Sequence, residues 1–168
     1  MRHETVLLRL AGLCALTGAG LRVAAAFPSL HIPVLSREAL YFTIDLLLTL
    51  GLVGLFGGIA GFRGWLGALG FVGAVAGFAL IRTGERLGGA EAYQRSSAIL
   101  ALGLAVAGVA LVRGPGLARY AGGAWIASFV VGLAGMALHW PPAFLAASLL
   151  FCAGFALGGL VLLVEGGG

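Results

Sequence analysis

Long apolar runs, broken by short polar punctuation, fill almost the whole chain. Six of them are visible, at residues 5–27, 39–62, 65–81, 97–112, 117–138 and 143–164. Crossing the hydrocarbon of a bilayer takes roughly 20 mostly apolar residues in a helix, and every run reaches or approaches that length. Glycine within the runs does not argue against helix, because it is common in membrane spans. The pattern predicts an all-α fold: a polytopic membrane protein, a bundle of six transmembrane helices in a single integral membrane domain over residues 1–168.

The punctuation predicts how the runs are joined. Arg63-Gly64, Arg113-Gly114-Pro115-Gly116 and His139-Trp140-Pro141-Pro142 are tight links, which make consecutive helices antiparallel neighbours. Two longer connections are expected, Pro28 to Glu38 and Arg82 to Arg95, the second able to continue the third helix beyond the membrane. The first run has some features of a signal peptide, with Arg2 ahead of it and Ala24-Ala25-Ala26 near its end. Glu4 and Arg22 sit badly with that reading, so the run is expected to stay as a span.

Composition sharpens the class. Of the 168 residues 61% are hydrophobic and only 10% charged. Soluble domains carry about 25% charged residues. The balance excludes a water-soluble globular domain, a disordered chain and a nucleic-acid binder. The net charge of +4 comes wholly from arginine, ten in number, with no lysine present. It reads as headgroup contact and topology control rather than as a basic tail. Without lysine there is no retinal or pyridoxal Schiff base and no phosphate-loop lysine, and no cofactor is expected. Cys14 and Cys152 lie inside apolar runs and read as small buried hydrophobes. No GxSxG motif occurs, and the paired glycines sit within spans rather than after a strand, so serine hydrolase and phosphate-loop readings fail.

Topology follows from the arginines only loosely. Arg2, Arg63, Arg113 and Arg119 fall on the side of the termini, Arg37, Arg82, Arg86 and Arg95 on the other. Arg9 and the N-terminal amine tip the balance toward both termini being cytoplasmic, in a bacterial inner membrane. The partners expected are the bilayer itself, with further copies of the chain or a larger membrane complex as candidates. Glycine pairs four apart (Gly54 and Gly58, Gly57 and Gly61, Gly73 and Gly77, Gly154 and Gly158) open flat strips where helices can approach. These strips are expected to serve packing within the chain first and contacts between chains second.

Charges inside a span cost roughly 2.5–3.5 kcal/mol each on insertion scales, so each asks for a reason. Glu38, Tyr41, Asp45 and Thr49 recur at helical spacing and make one polar face running inward from the membrane surface. Arg22 lies at a similar depth on the preceding helix. An Arg22–Asp45 ion pair is therefore expected, with Tyr41 as a nearby hydrogen-bond partner. Two roles are open to it: a lock between the first two helices, or a polar pocket in which Asp45, Arg22, Glu38 and Tyr41 bind or pass a small solute or ion. Arg9 is expected to reach the interface or to meet Glu165. His31 and His139 are weak candidates for a metal or haem, without HxxxH spacing, and no metal site is expected. Three functional classes follow, in order: a small solute- or ion-binding membrane protein, a non-catalytic accessory or assembly subunit of a larger complex, and a membrane-embedded enzyme or haem carrier.

Overall fold

The structure is a computed structural model of the chain and describes residues 2–27 and 36–164. Among the described residues it is helical throughout, without strands, and six helices are long and apolar enough to cross a membrane. They are α1 (Arg2–Ala26), α2 (Arg37–Gly58), α3 (Trp65–Thr83), α4 (Glu91–Val112), α5 (Gly116–Ala137) and α6 (Pro141–Val164). The chain is a multi-pass membrane protein in its architecture.

Two boundaries differ from the sequence-based expectation. The second run stops at Gly58, and Ala60–Arg63 form a 3-10 turn that carries Phe62 into the core. The Arg63 guanidinium donates to the Gly57 carbonyl, one of the acceptors left over at a helix C-terminus. The segment from Arg82 to Arg95, expected as a longer connection able to continue the third helix, is helical on both sides of a single break. Helical structure runs from Trp65 to Val112, interrupted at Gly89, where φ is 64° and ψ is −153°. That backbone conformation is essentially confined to glycine, so one residue turns α3 back on α4.

Glycine also sets how closely the two arms of this hairpin lie. A Cβ at Gly70 would fall 2.3 Å from the Ala107 nitrogen, and one at Gly77 would fall 2.5 Å from the Leu100 Cα. Across the same contact, a Cβ at Gly103 would meet the Ala74 nitrogen at 2.4 Å. The remaining neighbours repeat the device. Gly12 faces Gly159 between α1 and α6, Gly108 faces Gly122 between α4 and α5, and Gly51 and Gly54 sit against Ala15 and Ala11 between α2 and α1. Lipid tails are as apolar as leucine, so helices gain little by hiding from them, and close backbone approach supplies the attraction instead. The glycine strips of the sequence are thus largely spent inside the chain.

These contacts arrange the helices in sequence around a shared core, with α6 returning to α1 and α2. The start of α1 lies beside the end of α6, so residues 2 and 164 fall at the same end of the bundle. Trp125 occupies the centre, edge-on to Phe155 at 5.2 Å and to Phe62 at 6.4 Å, and Gly154 leaves the space that its indole fills. Ser128 donates to the Ala147 carbonyl at 2.8 Å and ties α5 to α6. The outer wall is apolar, as lipid contact requires, with Leu7, Phe42, Val72 and Leu133 all exposed. Trp65 and Tyr120 stand exposed near one end and Trp140 near the other, in the positions of interfacial aromatic belts.

The seam between α2 and α3 differs from the others. Its packing is sparser than that of α1 on α2 or of α5 on α6. Near the end that holds the termini it is closed by Phe56 stacked on Phe71, ring centroids 4.6 Å apart. At the opposite end it is closed by charge, described below.

The packing predicts a contrast between two glycines. Gly103→Ala should lower stability in detergent by about 1–3 kcal/mol, because the added methyl meets backbone that cannot yield. Gly123→Ala, with nothing within 4 Å of the new carbon, should leave the melting temperature unchanged or slightly raised. Thermal unfolding of the two purified variants checks both.

Candidate functional site: a polar cluster bridging four helices

The cluster begins with the start of α2. Ser36 caps it, its hydroxyl accepting from the Ala39 nitrogen at 3.3 Å, which satisfies one of the donors left over at a helix N-terminus. Asp45 lies about two turns into the helix, roughly 12 Å along the axis at about 1.5 Å of rise per residue. Thr43 donates to the Ala39 carbonyl at 2.8 Å. Thr49 donates to the Asp45 carbonyl at 2.7 Å. Both hydroxyls are thus satisfied within their own helix.

Asp45 forms its ion pair with Arg82 of α3, Nη2 to Oδ2 at 2.5 Å. The partner expected from the sequence, Arg22, stands elsewhere. Its guanidinium lies over the ring of Tyr41, 5.4 Å from the centroid, a cation–π contact. Arg22 also lies near the hydroxyl of Tyr93 of α4 and feels the charge of Asp45, while the ion pair of Asp45 is made with Arg82. The reason is azimuth. Asp45 shares a strip with Leu52 and Phe56, seven and eleven residues on, and Phe56 is the residue stacked on α3. Asp45 therefore points to α3, while the face of α2 turned to α1 carries Leu48, Gly51 and Gly54.

Four helices thus converge on one place. α2 supplies Tyr41 and Asp45, α1 supplies Arg22, α3 supplies Arg82, and α4 supplies Tyr93. Asp45 and Arg82 keep 16% and 28% of their side-chain surface exposed, so the pair is neither sealed in the core nor laid on the surface. The Arg82 Nε is buried and has no hydrogen-bond partner among the described residues. An unmade hydrogen bond of this kind costs about 1–3 kcal/mol, more for a charged donor.

Of the other sequence candidates, Tyr41 belongs to this cluster. Glu38 is exposed in the first turn of α2, where a carboxylate favours the positive end of the helix dipole. His139 is exposed in the turn before α6, with φ at 50°. His31 and Glu165 lie outside the described residues. Arg9 is exposed. Among the described residues no group of histidine, cysteine and acidic side chains could hold a metal ion. Cys14 and Cys152 are free thiols, half-buried and buried.

Arg82 and Tyr93 escape the sequence reading because both fall in a segment that reads as a loop. The available signal is the run after Arg82, which carries no proline and keeps helical composition. Two cavities of about 430 and 230 Å³ lie along the α3–α4 hairpin, the larger beside Thr83, Glu91 and Arg95, the smaller beside Trp65 and Arg113. Arg22, Tyr41 and Asp45 line neither of them. Comparison of the chain with family models, with curated proteins and with solved structures gives no match.

The contact of Arg22 with Tyr41 gives a prediction. Tyr41→Phe keeps the ring under the guanidinium and should cost no more than about 0.5 kcal/mol. Tyr41→Leu removes the ring face and should cost about 0.5–2 kcal/mol. Unfolding in detergent, with Arg22→Leu as the background in which the difference disappears, is the measurement.

Proposed function

We propose that the chain is a small membrane protein that binds or passes a small solute or ion at the polar cluster of Asp45, Arg82, Arg22, Tyr41 and Tyr93. One observation supports the reading: an ion pair set about a third of the way into α2 leaves part of the side-chain surface of both partners unburied by the protein. A pair whose work is only to lock helices can be sealed by the protein around it, although desolvation offsets much of the attraction gained. A pair that must meet a solute needs a wet side. The cluster also draws on four helices, an arrangement suited to a site that senses or permits their relative movement.

The accessory-subunit reading leans on glycine strips turned outward to a partner. Of the paired glycines, Gly54, Gly58, Gly73, Gly77, Gly154 and Gly158 each lie against a neighbouring helix of the same chain while Gly57 faces outward, which leaves little of the strips for a partner. Both termini on the cytoplasmic side of a bacterial inner membrane is part of the same proposal, resting on Arg9 and the N-terminal charge.

Access can be measured directly. In a background carrying Cys14→Ala and Cys152→Ala, Asp45→Cys in sealed vesicles should react with a membrane-impermeant thiol reagent from one side only. Its rate should exceed that of Leu48→Cys by about tenfold or more, since exposure governs thiol reactivity. Leu48 is 1% exposed and lies about one turn away. Equal, slow labelling at both positions would remove the solute reading in favour of a structural lock.

A further inference from the structure

We propose that the cluster is a site for a monovalent oxyanion, a phosphodiester or carboxylate group, held between Arg22 and Arg82. The inference rests on the solute reading above and names the chemical class that the site would take.

Charge is the first argument. Among the described residues the cluster holds two guanidiniums and one carboxylate, an excess of one positive charge in a place of low polarity. Uncompensated charge is expensive there, and a single anionic group restores neutrality. A second carboxylate from the chain would do so as well. Glu38, on the same helix as Asp45, is turned to the surface at the start of α2 instead.

Hydrogen-bonding capacity is the second. A guanidinium has five N–H donors in a planar fork and no acceptor. Arg82 spends an Nη2 donor on Asp45 and leaves Nε without a partner among the described residues. Arg22 offers one face to the Tyr41 ring and lies near Tyr93, which leaves N–H donors over at the edge of its guanidinium. A planar or tetrahedral oxyanion matches these forks, because its oxygens can accept from two donors at once. The Tyr93 hydroxyl can donate to the same group.

Position is the third. Arg22 lies about one turn, or roughly 6 Å, before the end of α1. Arg82 lies about two turns, or roughly 10 Å, before the reversal at Gly89. The cluster therefore sits below one membrane surface, within reach of a headgroup. It also sits at the charged end of the sparsely packed α2–α3 seam. An anion reaching Arg82 competes with Asp45 for the same guanidinium, so binding loosens the bridge that closes the seam.

The same chemistry could arrive on a lipid or free in water, and two arms separate them. In the first, purified protein in neutral detergent is titrated with sodium dimethyl phosphate and sodium acetate against sodium chloride at equal ionic strength, following the melting temperature. In the second, the protein is placed in phosphatidylcholine nanodiscs with and without phosphatidylglycerol, and lipids retained are counted by native mass spectrometry. A saturable rise in melting temperature in the first arm assigns a free anion. Selective retention of phosphatidylglycerol in the second assigns a headgroup. In either case Arg22→Gln, which leaves the Asp45–Arg82 pair in place, should weaken half-saturation or retention by about tenfold. Tyr93→Phe, which keeps the ring, should weaken it less and serves if the first variant does not fold. No anion effect in either arm, or an effect equal in the wild type and both variants, overturns the proposal. If Asp45→Cys is open to the aqueous reagent while anions have no effect, the oxyanion assignment fails and the solute reading stands. If Asp45→Cys is closed as well, both fail.

Discussion

A carboxylate one-third of the way into a membrane helix must be neutralised by something close, and nearly everything distinctive about this bundle follows from how Asp45 meets that demand. Its partner is Arg82, and the bond between them crosses a seam that close packing leaves thin. Elsewhere glycine brings helix backbones into contact and dispersion does the rest. Between α2 and α3 an aromatic stack closes one end and an ion pair the other. The fold is thus held by two kinds of force with different responses to water: contacts that are indifferent to it, and a bridge that water or an anion can loosen.

The spans are legible in the sequence because lipid imposes a simple rule. A chain that crosses hydrocarbon must satisfy its backbone within itself and show apolar side chains outward, and residues 39–62 or 143–164 announce that without help from tertiary structure. The α3–α4 hairpin is less legible. Arg82, Glu85, Arg86, Glu91 and Arg95 make the segment polar, and polarity between two spans reads as a loop. A helix can continue past the membrane surface, however, and a single glycine with a conformation closed to other residues can reverse it. The signal lies in Gly89, one glycine among 30.

The ion pair is half legible. Spacing along α2 identifies Asp45 and Tyr41 as members of an inward polar face, and both belong to the cluster. Arg22 matches Asp45 in depth alone. Depth follows from counting residues, but azimuth depends on which face of α2 turns to α1, and that is written in Leu48, Gly51 and Gly54. Those small and apolar residues claim the α1 face and rotate Asp45 toward α3. Arg22 is then left with an aromatic ring, a phenol and a carboxylate at a distance. Among the described residues the cluster then counts two guanidiniums to one carboxylate, the imbalance on which the proposed oxyanion site rests.

The most direct test is a double-mutant cycle in detergent on Asp45→Asn with Arg82→Gln, run beside the same cycle with Arg22→Gln. Direct contact predicts a coupling of about 0.5–3 kcal/mol for Asp45 with Arg82, and a clearly smaller one for Asp45 with Arg22. Additive effects for Asp45 and Arg82, or the larger coupling falling on Arg22, would contradict the account of how this bundle is closed.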